Sequence, residues 1–225
     1  MKKLMNETKT TYFDNGNKKT EENYKNGEKD GVWNTWDNDG NKIYESNYKN
    51  GKRDGACISW YENGEINIEC NYRNGKNDGA WIMYFIDGEK SIETTYKNGK
   101  EDGALILYYK SGGKSLERNY KNGKVDGVCT NWDNSGKKLF ECNYINDKKN
   151  GILTEWKGGK KLFECDYIND KKNGILTEWY KNGEKRSECN YINDKKNGIL
   201  TVWENGEKLF EREYLNDSFI LPFEM

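Results

Sequence analysis

Tyr24, Tyr48, Tyr72, Tyr96, Tyr120 and Tyr144 are spaced 24 residues apart, and Tyr167, Tyr191 and Tyr214 continue the series at intervals of 23, 24 and 23. Each opens a unit like YKNGKRDGACISWYENGEINIECN, so residues 24–213 read as eight repeats. A partial repeat is expected over 1–23, and a second partial repeat with a cap over 214–225. A fixed period of this length specifies a stacked array in which each repeat is stabilised by its neighbours. Such a fold offers a surface rather than a pocket.

The repeats align with one another. Every one carries Asn two residues after the tyrosine, a glycine seven after it (Gly31 to Gly198), and then Trp or Tyr at Trp36, Trp60, Tyr84, Tyr108, Trp132, Trp156, Trp179 and Trp203. A glutamate precedes each next tyrosine by three residues, from Glu45 to Glu211. Residues 137–156 and 160–179 match at 19 of 20 positions, differing only at Asn143 and Asp166, the mark of a recent duplication.

With 33% hydrophobic and 33% charged residues the chain could pass for disordered. The aromatics decide otherwise, because 8 Trp, 16 Tyr and 7 Phe at regular places bury a large apolar area from few positions. A formal net charge of −1 argues against nucleic acid as a partner. No run approaches 18 apolar residues, and the start MKKLMNETKTTYF lacks the apolar segment of an export signal.

Each repeat holds two apolar-rich runs, such as GACISWY and EINIECNY, divided by Asn63-Gly64. Runs of five to eight residues broken by Asn-Gly or Asp-Gly predict antiparallel strands joined by hairpins. The expected fold is therefore all-β, an elongated single antiparallel meander of about 18 strands. Alternation places Ala80, Ile82 and Tyr84 on one face with Ile92, Thr94 and Tyr96, and Trp81, Met83 and Glu93 on the other. The same alternation puts Cys57 opposite in face to Cys70, and Cys129 to Cys142, while Cys142, Cys165 and Cys189 stand two strands apart. All six cysteines are thus expected to be reduced and packed, which favours a cytoplasmic setting. The glycine that opens each first strand is expected to lie under a neighbouring ring.

The pattern Trp-x-x-x-Gly followed by Glu-x-x-Tyr-x-Asn-Gly-x-x-Asp-Gly, as in Trp36 to Gly55, resembles the variant MORN repeat of bacterial proteins over roughly residues 12–213. The resemblance implies a sheet of β-hairpins. Bacterial proteins of this kind are often described as antitoxin components, and MORN arrays as scaffolds for proteins or acidic lipids. It implies no catalytic residues.

No histidine is present, which removes His-dependent catalysis, and no Cys-x-x-Cys spacing suggests zinc. No catalytic, cofactor or metal residues are expected, and the chain reads as a non-enzyme. Asp37-Asn38-Asp39-Gly40 resembles the start of a calcium loop, but its twelfth position is Tyr48, so a hairpin turn is expected. The glutamate column reads as a solvated or lysine-paired stripe. The eight turns after the tyrosines, opening on Lys25, Lys49, Arg73, Lys97, Lys121, Ile145, Ile168 and Ile192 and running through Asp30 or its equivalent, read as a basic edge that could solubilise the sheet or meet an acidic surface.

The functional signal is lost alternation in the third and fourth repeats. Trp81, Met83 and Phe85, and then Leu105, Leu107 and Tyr109, are apolar where the fifth repeat has Cys129, Asn131 and Asp133. They predict either a second packed layer or a contact patch. The expected function is a scaffold that binds a protein partner, antitoxin-like or immunity-like, with acidic lipid as the alternative partner. A homo-oligomer through these two repeats is the further reading.

Overall fold

The computed structural model describes residues 5–220 and divides into two compact units, residues 1–112 and 113–225. The first holds β1 (Asn6–Tyr12), β2 (Lys18–Lys25), β3 (Glu28–Trp36), β4 (Lys42–Lys49), β5 (Lys52–Trp60), β6 (Ile66–Arg73), β7 (Lys76–Tyr84), β8 (Lys90–Lys97), β9 (Lys100–Glu101) and β10 (Gly103–Tyr108). The second holds β11 (Lys114–Lys121), β12 (Lys124–Trp132), β13 (Lys138–Ile145), β14 (Lys148–Lys157), β15 (Lys160–Ile168) and β16 (Lys171–Trp179). It continues with β17 (Lys185–Ile192), β18 (Lys195–Lys196), β19 (Gly198–Glu204), β20 (Glu207–Leu215) and β21 (Ser218–Phe219).

Within each unit the strands pair antiparallel in chain order, with β9 and β10 both on β8 and β18 and β19 both on β17, and no helix occurs among the described residues. The fold is the all-β hairpin meander that the repeat predicts. The 21 strands among the described residues exceed the expected 18 because Asp102 and Asn197 each interrupt one strand and Ser218–Phe219 adds a short one. Both interruptions stay anchored, since the amide of Asp102 donates to the Thr95 carbonyl at 2.9 Å and that of Asn197 to Asn190 at 2.8 Å.

Two kinds of turn alternate. After each tyrosine, Asn takes φ near +50° and the next residue, Gly or Asp, +67° to +85°, the two-residue turn for which Asn-Gly is suited. At the other end of most hairpins a longer turn closes on a glycine, as where the Gly64 amide donates to the Tyr61 carbonyl at 2.9 Å and Gly64 takes φ +87°, while Gly158-Gly159 and Asn205-Gly206 make two-residue turns there. A bulge stands beside the turn at this end whichever length it has, and the bulge overturns the expected faces. Tyr84 does pair with Lys90, but Met83 pairs with Ile92, so Ser91 is an extra residue that shifts the second strand by one.

Consequently Trp81 and Met83 share a face with Ile92, Thr94 and Tyr96, while Ala80 and Ile82 lie opposite with Glu93 and Thr95. The same shift brings Cys57 directly opposite Cys70 and Cys129 opposite Cys142, correcting the placement of each pair on opposite faces. All six cysteines are free and buried.

The tyrosine face carries what core there is. In the second unit Cys142, Leu153, Cys165, Tyr167 and Leu176 are buried, flanked by Phe140, Tyr144, Phe163 and Tyr191. The opposite face is held by polar columns. Thr154 donates to Glu164 at 3.1 Å, and Lys–Glu pairs three residues apart recur from Lys18–Glu21 (2.6 Å) to Lys208–Glu211 (2.6 Å). These are exposed pairs, each worth at most about 1 kcal/mol.

The strand-opening glycine does sit opposite a tyrosine, as Gly79 does Tyr96. Its backbone supplies the stronger reason for glycine. Gly174 has φ +134°, and a Cβ there would stand 2.9 Å from Asp166 Cβ on the preceding strand.

Candidate functional surface

The bulge places the predicted patch on the tyrosine face of the first unit. Met83 lies directly opposite Ile68 on β6 and Ile92 on β8, and Ile92 lies opposite Leu107 on β10. Four apolar side chains therefore run in one row across four strands. Trp81 stands beside them, opposite Cys70 and Thr94, with Leu105 two residues before Leu107. Phe85 and Tyr109 lie just past the ends of β7 and β10, where their carbonyls accept from the amides of Gly88 and Gly112, each at 2.9 Å.

All six predicted residues are half-buried. Sequence reasoning missed Ile68 and Ile92, which complete the row. One residue bulges out ahead of each, Asn67 before Ile68 and Ser91 before Ile92, and brings the following strand's alternation onto this face, which the spacing alone does not signal.

The surroundings are graded in charge. Lys29 lies 3.6 Å from the Trp33 ring centroid, and Arg53 sits 5.1 Å from the Tyr72 ring while donating to the Tyr72 hydroxyl at 3.1 Å. The Tyr48 hydroxyl beside Arg53 helps hold that guanidinium in its charged form. Across the patch the same column becomes Asn77 and Glu101, opposite Tyr72 and Tyr96. A cation-lined end thus gives way to an apolar surface.

The thiols differ sharply. Cys57 is held below its ordinary value, first by the hydrogen bond with Cys70, and also by the Tyr44 hydroxyl 3.3 Å from its sulfur and by the Arg53 charge. Burial pushes Cys142 and Cys165 up to about 11.

Several other motifs resolve into turn chemistry. The Asn41 side-chain amide donates to Asp37 at 3.1 Å, and this bond first, then those from the backbone amides of Asn41 and Asp39 at 2.8 and 3.0 Å, hold the Asp37 carboxyl below the usual range. Lys25, Lys49, Arg73, Lys97 and Lys121 are all exposed. At the C-terminal end the Phe219 ring lies 6.2 Å from that of Tyr214, and the Ile220 amide donates to Glu213 at 2.9 Å. The other residues expected to form the cap, Leu221 and Phe223, lie outside the described residues.

The change from NGxxDG to NDxxNG turns out to be a coupled exchange. In the earlier repeats Asp54 accepts from the amide of Asn74 at 3.0 Å. Later repeats replace that aspartate by Asn150, Asn173 and Asn197, and the turn itself supplies the carboxylate: Asp170 accepts from the Lys149 amide at 2.8 Å, and its own amide donates to the Lys149 carbonyl at 3.0 Å. Either arrangement ties each turn to the one before.

Fold and surface together define an array of antiparallel hairpin repeats. Five stretches of the chain, residues 8–26, 29–50, 53–74, 125–146 and 172–193, match the MORN repeat variant. The six predicted patch residues fall between the third and fourth of these stretches, and Ile68 lies within the third. No curated protein matches the chain.

Proposed function

We propose that the chain is a non-enzymatic scaffold that captures a partner protein on the tyrosine face of its first unit. The row Ile68–Met83–Ile92–Leu107 carries this reading, with Trp81 and Leu105 beside it and Phe85 and Tyr109 at its end. Elsewhere the column of Met83 and Leu107 holds Thr35, Ser59, Asn131, Glu155, Glu178 and a lone apolar Val202, so the fold does not require apolar residues there. Half-exposed apolar and aromatic side chains set among polar neighbours are the usual anchors of protein interfaces. MORN repeats are commonly scaffold repeats that bind proteins or lipids.

The narrower reading, capture of a toxin or effector in the manner of an antitoxin or immunity protein, rests on the resemblance alone. The free thiols support a reducing, cytoplasmic setting. The exposed basic column supports the second reading, attachment to acidic lipid.

The test is affinity capture from the native cell with the wild-type chain and with Met83→Ser/Leu107→Ser, followed by titration of the retained protein. The variant should bind at least about 30-fold more weakly, the effect of losing ~2 kcal/mol at a central contact, with the melting temperature nearly intact. Equal binding by both chains, or destabilisation without a binding defect, overturns the patch. Salt-sensitive binding to anionic vesicles, unaffected by the substitutions, would favour the lipid reading.

A further inference from the structure

The face opposite the tyrosines differs between the two units in one respect. On the second unit, Ile152 lies opposite Asp166, which sets Ile152 diagonally beside Ile168. Ile175 stands in the same relation to Ile192, and Ile199 to Leu215. Val128 and Ile145 begin the series. Diagonal neighbours of this kind are ~7–8 Å apart, and the pairs repeat every second strand, roughly 10 Å along the sheet.

All eight side chains are 42% to 55% exposed. The first unit has Val32, Ala56, Ala80 and Ala104 in the one column and Lys25, Lys49, Arg73 and Lys97 in the other. Folding therefore does not demand isoleucine at these places. Soluble monomers rarely expose so long an apolar band without using it.

We infer that this band is the interface of a homodimer, in which the second unit packs face to face on the second unit of another copy. At about 90 Å² of exposed surface each, the eight residues offer roughly 700 Å², close to the ~800 Å² that one partner contributes to a standard interface. A two-fold axis requires a self-complementary surface, and a ridge repeating every 10 Å or so meets its own spacing in a second copy.

Charge points the same way. Asp166 and Glu213 lie within the band and Lys148, Lys171 and Lys195 beside it, opposite Ile145, Ile168 and Ile192. A second copy can therefore match both signs. The first unit's Lys25, Lys49, Arg73 and Lys97 would repel their own kind. The band lies toward the ends of the strands at the two-residue turns, so two bands can overlap while pairs such as Lys161–Glu164 remain in water.

Sedimentation velocity of the full chain across about 1–100 μM tests this. The wild type should show a reversible monomer–dimer equilibrium that high salt does not abolish. Ile152→Lys/Ile175→Lys should raise the dissociation constant by about 100-fold or more, and Met83→Ser/Leu107→Ser should leave it unchanged, which separates this inference from the proposed capture surface. Circular dichroism that matches the wild type confirms that the charged variant folds. A wild type that stays monomeric at the highest concentration, or a dimer that persists in Ile152→Lys/Ile175→Lys, would overturn the inference.

Discussion

Leu153 and Ile152 are neighbours in β14, yet Leu153 is 2% exposed and Ile152 is 55% exposed. Replacing each by alanine measures which face of the sheet holds the core. Leu153 packs with Cys142, Cys165, Tyr167 and Leu176. Full burial of a leucine contributes about 1.5–3 kcal/mol, and Leu→Ala in cores costs about 2–5 kcal/mol once the cavity is included. A single-layer sheet lets neighbours and water close part of that cavity, so Leu153→Ala should cost about 2–3 kcal/mol. Ile152→Ala removes a side chain already half in water and should cost under about 0.5 kcal/mol.

Urea unfolding followed by tryptophan fluorescence reads the difference, with Trp156 reporting from the same strand. In thermal melts Leu153→Ala should lower the midpoint by about 5–10 °C, from ~2–4 °C per kcal/mol for chains of this size. The fluorescence transition should keep its slope, as expected when stability changes without a change in the surface exposed. Equal costs for the two substitutions would refute the face assignment, and with it the place of the bulge.

The exchanged turn predicts a rescue: Asp170→Gly should cost about 1 kcal/mol and speed hydrogen exchange at the Lys149 amide, whereas adding Asn150→Asp should recover most of the loss by capping the Asn169 amide as Asp54 caps that of Asn74. No recovery in the double variant would show the two sequences to be unrelated solutions. Alkylation by iodoacetamide, which needs the thiolate, should reach Cys57 at lower pH than an ordinary thiol, while Cys142 and Cys165, pushed up to about 11, should resist until well above neutrality. Peptide mass mapping against pH checks this, and simultaneous labelling of all three would contradict it.

Much of the fold was legible because its determinants are local. Asn at φ near +50° after each tyrosine and glycine at the longer turns fix strand length and hairpin order, and both are visible as residue types. The faces were less legible. Simple alternation treats Tyr84↔Lys90 as one register, but the extra residue Ser91 moves Ile92, Thr94 and Tyr96 to the other side. The same slip hid the contact between Cys57 and Cys70. The candidate patch was visible as broken alternation at Trp81, Met83, Leu105 and Leu107, whereas Ile68 and Ile92 were not, because their membership depends on pairing across strands. Nothing in the spacing announced that the Asp-to-Asn change before Gly151 is compensated by Asp170 on the next turn, since that bond joins residues 21 apart.

The binding row depends on the bulge that carries Met83 onto the tyrosine face. Methyl nuclear Overhauser spectroscopy of the isotope-labelled chain tests it directly, because directly opposite residues have Cβ atoms about 4.5–5.5 Å apart. Cross-peaks should join Met83 to Ile68 and Ile92, and Ile92 to Leu107, with none between Ile82 and Ile92. Cross-peaks from Ile92 to Ile82 in place of Met83 would mean that alternation runs unbroken through the turn, and that the proposed binding row does not exist.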